Sequence, residues 1–132
     1  MWKKVRKKIY HIAIDFDGTC VKNNFPLVGE DIGAQSVLNK LVDNGHKLIL
    51  NTARGGIYLQ PAIDWFNLNN IPLASINQSI HTKNNTSNKV YAKIYIDDYN
   101  LGCPLIYEQE CKPYVDWTDI ESILTLRCLI NQ

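Results

Sequence analysis

Short apolar runs alternate along the chain with longer stretches in which apolar residues recur every three or four positions. Ile9 to Asp15 is a compact apolar run that ends in an acid and is broken at Gly18, and Lys47 to Asn51, Leu73 to Ile76 and Val90 to Asp97 repeat the pattern. Runs of this length, bounded by polar or glycine positions, predict buried strands. Between them, Ala34, Val37, Leu38, Leu41 and Val42 fall on one face of a helix that Gly45 would close. Leu59, Ala62, Ile63 and Phe66 predict a second helix that stops near Asn70, ahead of Pro72. The polar segment Asn77 to Lys89 reads as a loop with room for a helical turn, and Tyr99 to Pro113 as irregular connections. Trp117 to Ile130 predicts a final helix, with Thr118 as its N-cap and Glu121 completing a capping box. Strands alternating with helices predict an α/β protein, a three-layer, Rossmann-like open sheet that is mainly parallel. In such sheets ligands bind beyond the carboxyl ends of the strands.

Composition bounds this picture. With 132 residues, 45% of them hydrophobic and 20% charged, the chain suits one domain over residues 1–132, with 1–8 as a basic lead-in. A net charge of +1 removes any global electrostatic reason to expect nucleic acid or a membrane as partner. The local run Lys3, Lys4, Arg6, Lys7 and Lys8 is the exception, either a solvated lead-in or an arm for phosphate backbones. The apolar run after it is too short for a secretory signal or a membrane span. Cys20, Cys103, Cys111 and Cys128 lie far apart with no CxxC pair, which argues against a zinc site or a disulfide framework. A reduced, cytoplasmic protein is expected. His11, His46 and His81 are scattered and read as structural, and Trp2, Trp65 and Trp117 as packing residues.

Chemistry concentrates at the predicted strand ends. Asp15 and Asp17, one residue apart, can reach one cavity if Gly18 turns the chain, and Asp97-Asp98 follows a second buried strand. So many carboxylates in one place must share protons or bind a cation, and an oxygen-seeking Mg²⁺ fits that donor set. Thr52, at a third strand end, adds a hydroxyl suited to a phosphoryl oxygen, Lys89 adds positive charge, and Arg54 offers a fork for a phosphate or carboxylate.

In order and spacing, Asp15-Phe16-Asp17-Gly18-Thr19, Thr52 after Leu48-Ile49-Leu50-Asn51, Lys89, and Asp97-Asp98 resemble the four motifs of the haloacid dehalogenase superfamily. The strings Leu50 to Gly56 and Tyr95 to Asp98 look like a small bacterial and phage subgroup of it. This resemblance implies a Mg²⁺-dependent phosphohydrolase. Asp15 would attack phosphorus, Asp17 would act as acid and base and offer its carbonyl to the metal, and Asp97 and Asp98 would complete the metal site. Thr52, Ala53, Arg54 and Lys89 would hold the substrate. Lys83 and Lys93 compete for the lysine role, with Lys89 preferred. Only 34 residues separate Asp17 from Thr52 and 36 separate Thr52 from Lys89, so no cap domain is expected.

Two other readings use the same residues. A receiver-like phosphorylation switch also gathers acids, a Thr and a Lys around Mg²⁺, but with its acidic pair at the first strand, the reverse of the order here. A silent phosphate- or nucleic-acid-binding module has no use for the acid-base Asp17. The substrate is not legible in the sequence. An uncapped site is expected to serve a bulky phosphorylated partner, such as a nucleic-acid end guided by the basic arm, or to be covered by a second subunit of a homo-oligomer.

Overall fold

The computed structural model describes residues 8–80 and 87–131. The basic residues Lys3 to Lys7, Trp2, His81 and the lysine candidate Lys83 lie outside the described residues.

Strand β1 (His11–Ile14) is central, and its last three residues are buried. It pairs in parallel with β2 (Lys47–Leu50) on one side and with β4 (Ile94–Ile96) on the other, while β3 (Ser75–Ile76) extends the sheet beyond β2. Strands covered on both faces need continuous apolar runs, which is why Ile12-Ala13-Ile14 and Leu48-Ile49-Leu50 do not alternate with polar residues. The result is a mainly parallel, Rossmann-like sheet flanked by helices, as the sequence predicts.

Helix α1 (Ala34–Asp43) connects β1 to β2 and buries Ala34, Val37, Leu38 and Leu41. Helix α2 (Leu59–Leu68) connects β2 to β3; a 3₁₀ turn over Gly56–Tyr58 leads into it, and Ala62, Trp65 and Phe66 are its buried residues. Phe16 meets both Trp65 and Phe66, at ring-centroid distances of 5.8 and 6.3 Å, so the residue between the two motif acids is anchored in the core. The chain turns back on itself at β1, because β2 and β3 lie on one side of it and β4 on the other. That reversal opens a crevice beyond the carboxyl ends of β1 and β4.

Three sequence expectations are corrected. The strand expected from Val90 to Asp97 is confined to Ile94–Ile96, since Tyr95 folds its hydroxyl back onto the Val90 carbonyl and takes the Ala92 N–H. The stretch Tyr99 to Pro113 contains β5 (Leu105–Ile106), which pairs antiparallel with β6 (Tyr114–Val115). Finally, Asp116 rather than Thr118 caps α3 (Trp117–Leu126), accepting the N–H groups of Thr118 and Asp119. Aspartate satisfies two orphan donors and adds negative charge at the positive end of the helix dipole.

The tail braces the first motif. The Trp117 indole donates to the Thr19 carbonyl at 2.7 Å, and the Val115 N–H donates to the Gly18 carbonyl at 3.0 Å. His46 ties the same sheet to the C-terminus, accepting from the Tyr10 N–H and donating through Nε2 to the Leu129 carbonyl at 2.8 Å. Among the described residues no helix is long and apolar enough to cross a membrane. The four thiols are unpaired.

Asp116→Ala is expected to lower stability by about 1 kcal/mol, the usual loss for an N-cap. Thr118→Ala should change it much less. Equal shifts in the two denaturant midpoints would contradict the assignment.

Candidate functional site

Asp15 follows directly from β1, and Asp97 and Asp98 follow from β4. Because the strands are adjacent and in register, Ile14 beside Ile96, the three acids emerge side by side. Each offers a carboxylate oxygen within 4.8 Å of the other two. The Asp15 N–H donates to the Ile96 carbonyl at 3.0 Å, extending the ladder to the acid itself.

Thr19 joins these acids. Its hydroxyl donates to Asp15 Oδ2 at 2.9 Å, lies 3.3 Å from Asp98 Oδ1, and accepts the Asp98 backbone N–H at 3.1 Å. Gly18 makes this approach possible. Its φ is +80°, and a Cβ there would stand 2.3 Å from Asp98 Oδ2. The turn that glycine was expected to permit is therefore also a point where two loops touch.

Crowding leaves an electrostatic signature. Burial pushes the Asp15 carboxyl up from 3.8 to about 8, with the nearby Asp97 charge and the Asp98 contact adding to the rise. Burial also raises Asp98, and Asp97 adds to that. A set of hard oxygen donors held this close, one of them reluctant to ionise, is suited to a divalent cation that restores the missing positive charge.

Asp17 stands apart from that trio. Its two carboxylate oxygens accept from Arg54 Nε and Nη2, each at 2.8 Å. The remaining Arg54 donors go to the carbonyls of Pro26, Leu27 and Tyr58, at 3.1, 2.9 and 3.0 Å. All five guanidinium N–H groups thus have protein partners. Arg54 is 3% exposed, and its guanidinium carbon lies 5.1 Å from the Phe16 ring centroid and 5.2 Å from that of Phe25. Arg54 was expected to hold the substrate; it lines the acidic cleft, but its guanidinium donors are committed to partners within the protein. It orients Asp17 and ties it to the 24–28 loop.

A cleft of about 580 Å³ brings Asp15, Asp17, Thr52, Ala53 and Asp97 together. Thr52 is held by its N–H, which donates to Asn77 Oδ1 at 2.8 Å, and its hydroxyl accepts the Arg54 N–H at 3.1 Å, leaving the hydroxyl proton for a ligand. Lys89 does not line this cleft. Its ammonium sits 5.4 Å from the Tyr95 ring centroid and faces a separate hollow of about 710 Å³ beside β4 and α3, lined by Ile94, Leu101 and Ile120 and carrying no acid. Lys93 sits near Tyr91, at 6.0 Å from its ring centroid. The lysine lining the acidic cleft, among the described residues, is Lys112, from the turn between β5 and β6.

Thr19, Lys112, Phe25 and Tyr99 are among the site residues that sequence reasoning passed over. Thr19 was within reach, being the last letter of the first motif. The other three lie in loops without periodicity, and only the folded chain brings them to the acids.

An open parallel sheet with clustered carboxylates at its point of reversal defines a Rossmann-like α/β protein with a candidate cation-binding cleft. Among solved structures the chain is similar to a conserved protein of Bacteroides thetaiotaomicron, at 31% identity and a TM-score of 0.75, over 91% of this chain and 93% of that one. The chain belongs to the same family as that protein. No protein-family model matches the chain, and no curated protein does.

Two outcomes are expected. Arg54→Gln removes one side of a buried, doubly bonded ion pair and should cost about 3–5 kcal/mol of stability, read from denaturant unfolding. An unchanged midpoint would contradict the role assigned to the fork. The second outcome concerns pH. A carboxyl whose folded pKa lies above its unfolded value binds more protons when folded, so its contribution is complete below about pH 3.8 and is lost as the pH climbs through about 8. In chelator, the melting temperature should fall between pH 5 and pH 8. Asp15→Asn should flatten that fall, and a slope identical to that of the wild type would refute the assignment.

Proposed function

We propose that the chain is a Mg²⁺-dependent phosphohydrolase of the haloacid dehalogenase type that cleaves phosphate monoesters in two displacements. The observation that carries this reading is the convergence of Asp15, Asp97 and Asp98 within 4.8 Å of one another, with Asp15 and Asp97 lining a cleft that Asp17 and Thr52 also line. Asp15, Asp97 and Asp98 would hold the cation, which when bound neutralises charge on the phosphoryl group and favours ionised Asp15.

Asp15 is the nucleophile. One of its oxygens bonds to phosphorus as the ester P–O bond breaks, giving an aspartyl-phosphate and the leaving alcohol. Asp17 gives the departing oxygen its proton. It then takes a proton from the water that attacks phosphorus, releasing phosphate and regenerating the Asp15 carboxylate. The Arg54 fork fixes the orientation of the Asp17 carboxyl, and each oxygen keeps a lone pair that can take a proton. Thr52 donates its hydroxyl to a phosphoryl oxygen. Lys112 supplies the positive charge that Lys89, turned toward Tyr95, does not bring to the cleft.

Steady-state assays with p-nitrophenyl phosphate test the reading. Turnover should require Mg²⁺ and vanish in excess chelator. Asp15→Asn should abolish it with the fold intact, and Asp17→Asn should slow it by ~10²- to 10⁴-fold, the usual contribution of an acid-base group. Lys112→Ala should reduce kcat/KM by more than Lys89→Ala does. Full activity in chelator, or a wild-type rate in Asp15→Asn, would sink the mechanism.

A further inference from the structure

The cleft holds more than a phosphate site requires. Two aromatic side chains line it beside the acids, Phe25 and Tyr99, and they are 53% and 83% exposed. Aromatic surface left in water on the wall of a polar cleft gains nothing from the folded chain alone, and it is suited to covering another flat apolar group.

Both residues are held in relation to the site. The Phe25 N–H donates to Asn23 Oδ1 at 3.3 Å, and its ring makes an edge contact with Tyr58, centroids 5.2 Å apart and planes at 61°. The Arg54 guanidinium, 5.2 Å from the Phe25 centroid, couples this ring to the side chain that orients Asp17. On the other loop, the Tyr99 N–H donates to Asp97 Oδ1 at 2.9 Å, so Tyr99 is positioned by one of the acids. The Phe25 ring, held by its contacts with Tyr58 and Arg54 before binding, loses less conformational freedom when a ligand arrives.

Depth decides what kind of aromatic ligand fits. Asp98 is buried and Asp15 half-buried, whereas Phe25 and Tyr99 are exposed at the rim. A ring joined to phosphorus by a single oxygen would lie down among the acids. A ring joined through a ribose can reach the rim while its phosphate stays at Asp15. The cleft, at about 580 Å³, is of the size that holds a small molecule.

We propose that the substrate is a nucleoside 5′-monophosphate whose base lies against Phe25 and Tyr99 while its phosphate meets Asp15, Thr52 and Lys112. This rests on the phosphohydrolase reading for its chemistry, but the recognition of the base stands on the aromatic wall alone. Stacking of a base on an aromatic side chain corresponds to roughly 5- to 150-fold in affinity.

The test compares adenosine 5′-monophosphate with ribose 5-phosphate, which presents the same primary alcohol as leaving group and lacks the base. With Mg²⁺ and the full chain, kcat/KM for the nucleotide should exceed that for the sugar phosphate by about tenfold or more. Tyr99→Leu, a change at an exposed position, and Phe25→Leu should each bring the ratio toward one, chiefly through KM for the nucleotide. Calorimetric binding of both compounds to the Asp15→Asn protein gives a readout independent of turnover. Hydrolysis of both esters at equal kcat/KM, with equal binding, would overturn base recognition and leave the phosphohydrolase reading standing. Conversely, tight nucleotide binding lost in Tyr99→Leu, with no ester hydrolysed, would support base recognition and defeat the hydrolase reading. A preference for O-phosphotyrosine over adenosine 5′-monophosphate would overturn the proposal, because its ring has no spacer.

Discussion

The arrangement of the site depends on one buried side chain. Arg54 joins the loop after β1, through Asp17, to the 24–28 loop, through the carbonyls of Pro26 and Leu27, and to the 3₁₀ turn before α2, through Tyr58. None of these segments is a strand or a long helix, so none has a ladder of its own to hold it. A guanidinium suits the task because its five donors are planar and fixed, and because its faces rest against the rings of Phe16 and Phe25. A buried pair of this kind contributes less to net stability than its short distances suggest, since both ions lose water. What it contributes is position. It sets where Asp17 stands relative to Asp15.

The acidic trio works in the opposite sense. Asp15, Asp97 and Asp98 are brought together by strand register, and their mutual repulsion opposes folding unless protons or a cation relieve it. A Thr19 hydroxyl shared by Asp15 and Asp98, and a glycine that lets the Asp98 carboxylate approach the Gly18 backbone, keep the cluster compact in spite of that cost. Local strain of this kind, concentrated at the carboxyl ends of central strands, is what a binding or catalytic centre requires, and hydrophobic burial elsewhere offsets it. The sheet and the site are therefore coupled. Ile12, Ile14, Leu48 and Leu50 supply the burial, and the next residues out carry the chemistry.

Much of the fold was legible because its signals are local. Apolar runs marked β1 and β2 to within a residue or two, and a helical rhythm marked α1 and α2. The errors fall where local signals are short or compete. Two-residue strands such as β5 and β6 show no periodicity to read. At the start of α3, Asp116 and Thr118 are both good caps, and the choice between them is made by where the chain leaves β6. The 90–93 stretch is apolar enough to be a strand, yet the Tyr95 hydroxyl draws it into a turn.

For the site, the sequence by itself determined which residues end the central strands, and so placed Asp15, Thr52 and Asp97 at one edge of the sheet. The reason is that strand position and burial follow from the order of apolar residues along a few consecutive positions. Only the tertiary structure decided what meets them there. Arg54 and Lys89 are indistinguishable in sequence as candidate cations for a ligand, yet Arg54 lines the cleft with its donors bound internally, Lys89 turns to Tyr95, and Lys112 joins the cleft from the turn between β5 and β6. Where a long, flexible cation ends up depends on partners 28 and 37 residues away, as for Pro26 and Asp17 with Arg54, and on loop paths that no repeating pattern encodes.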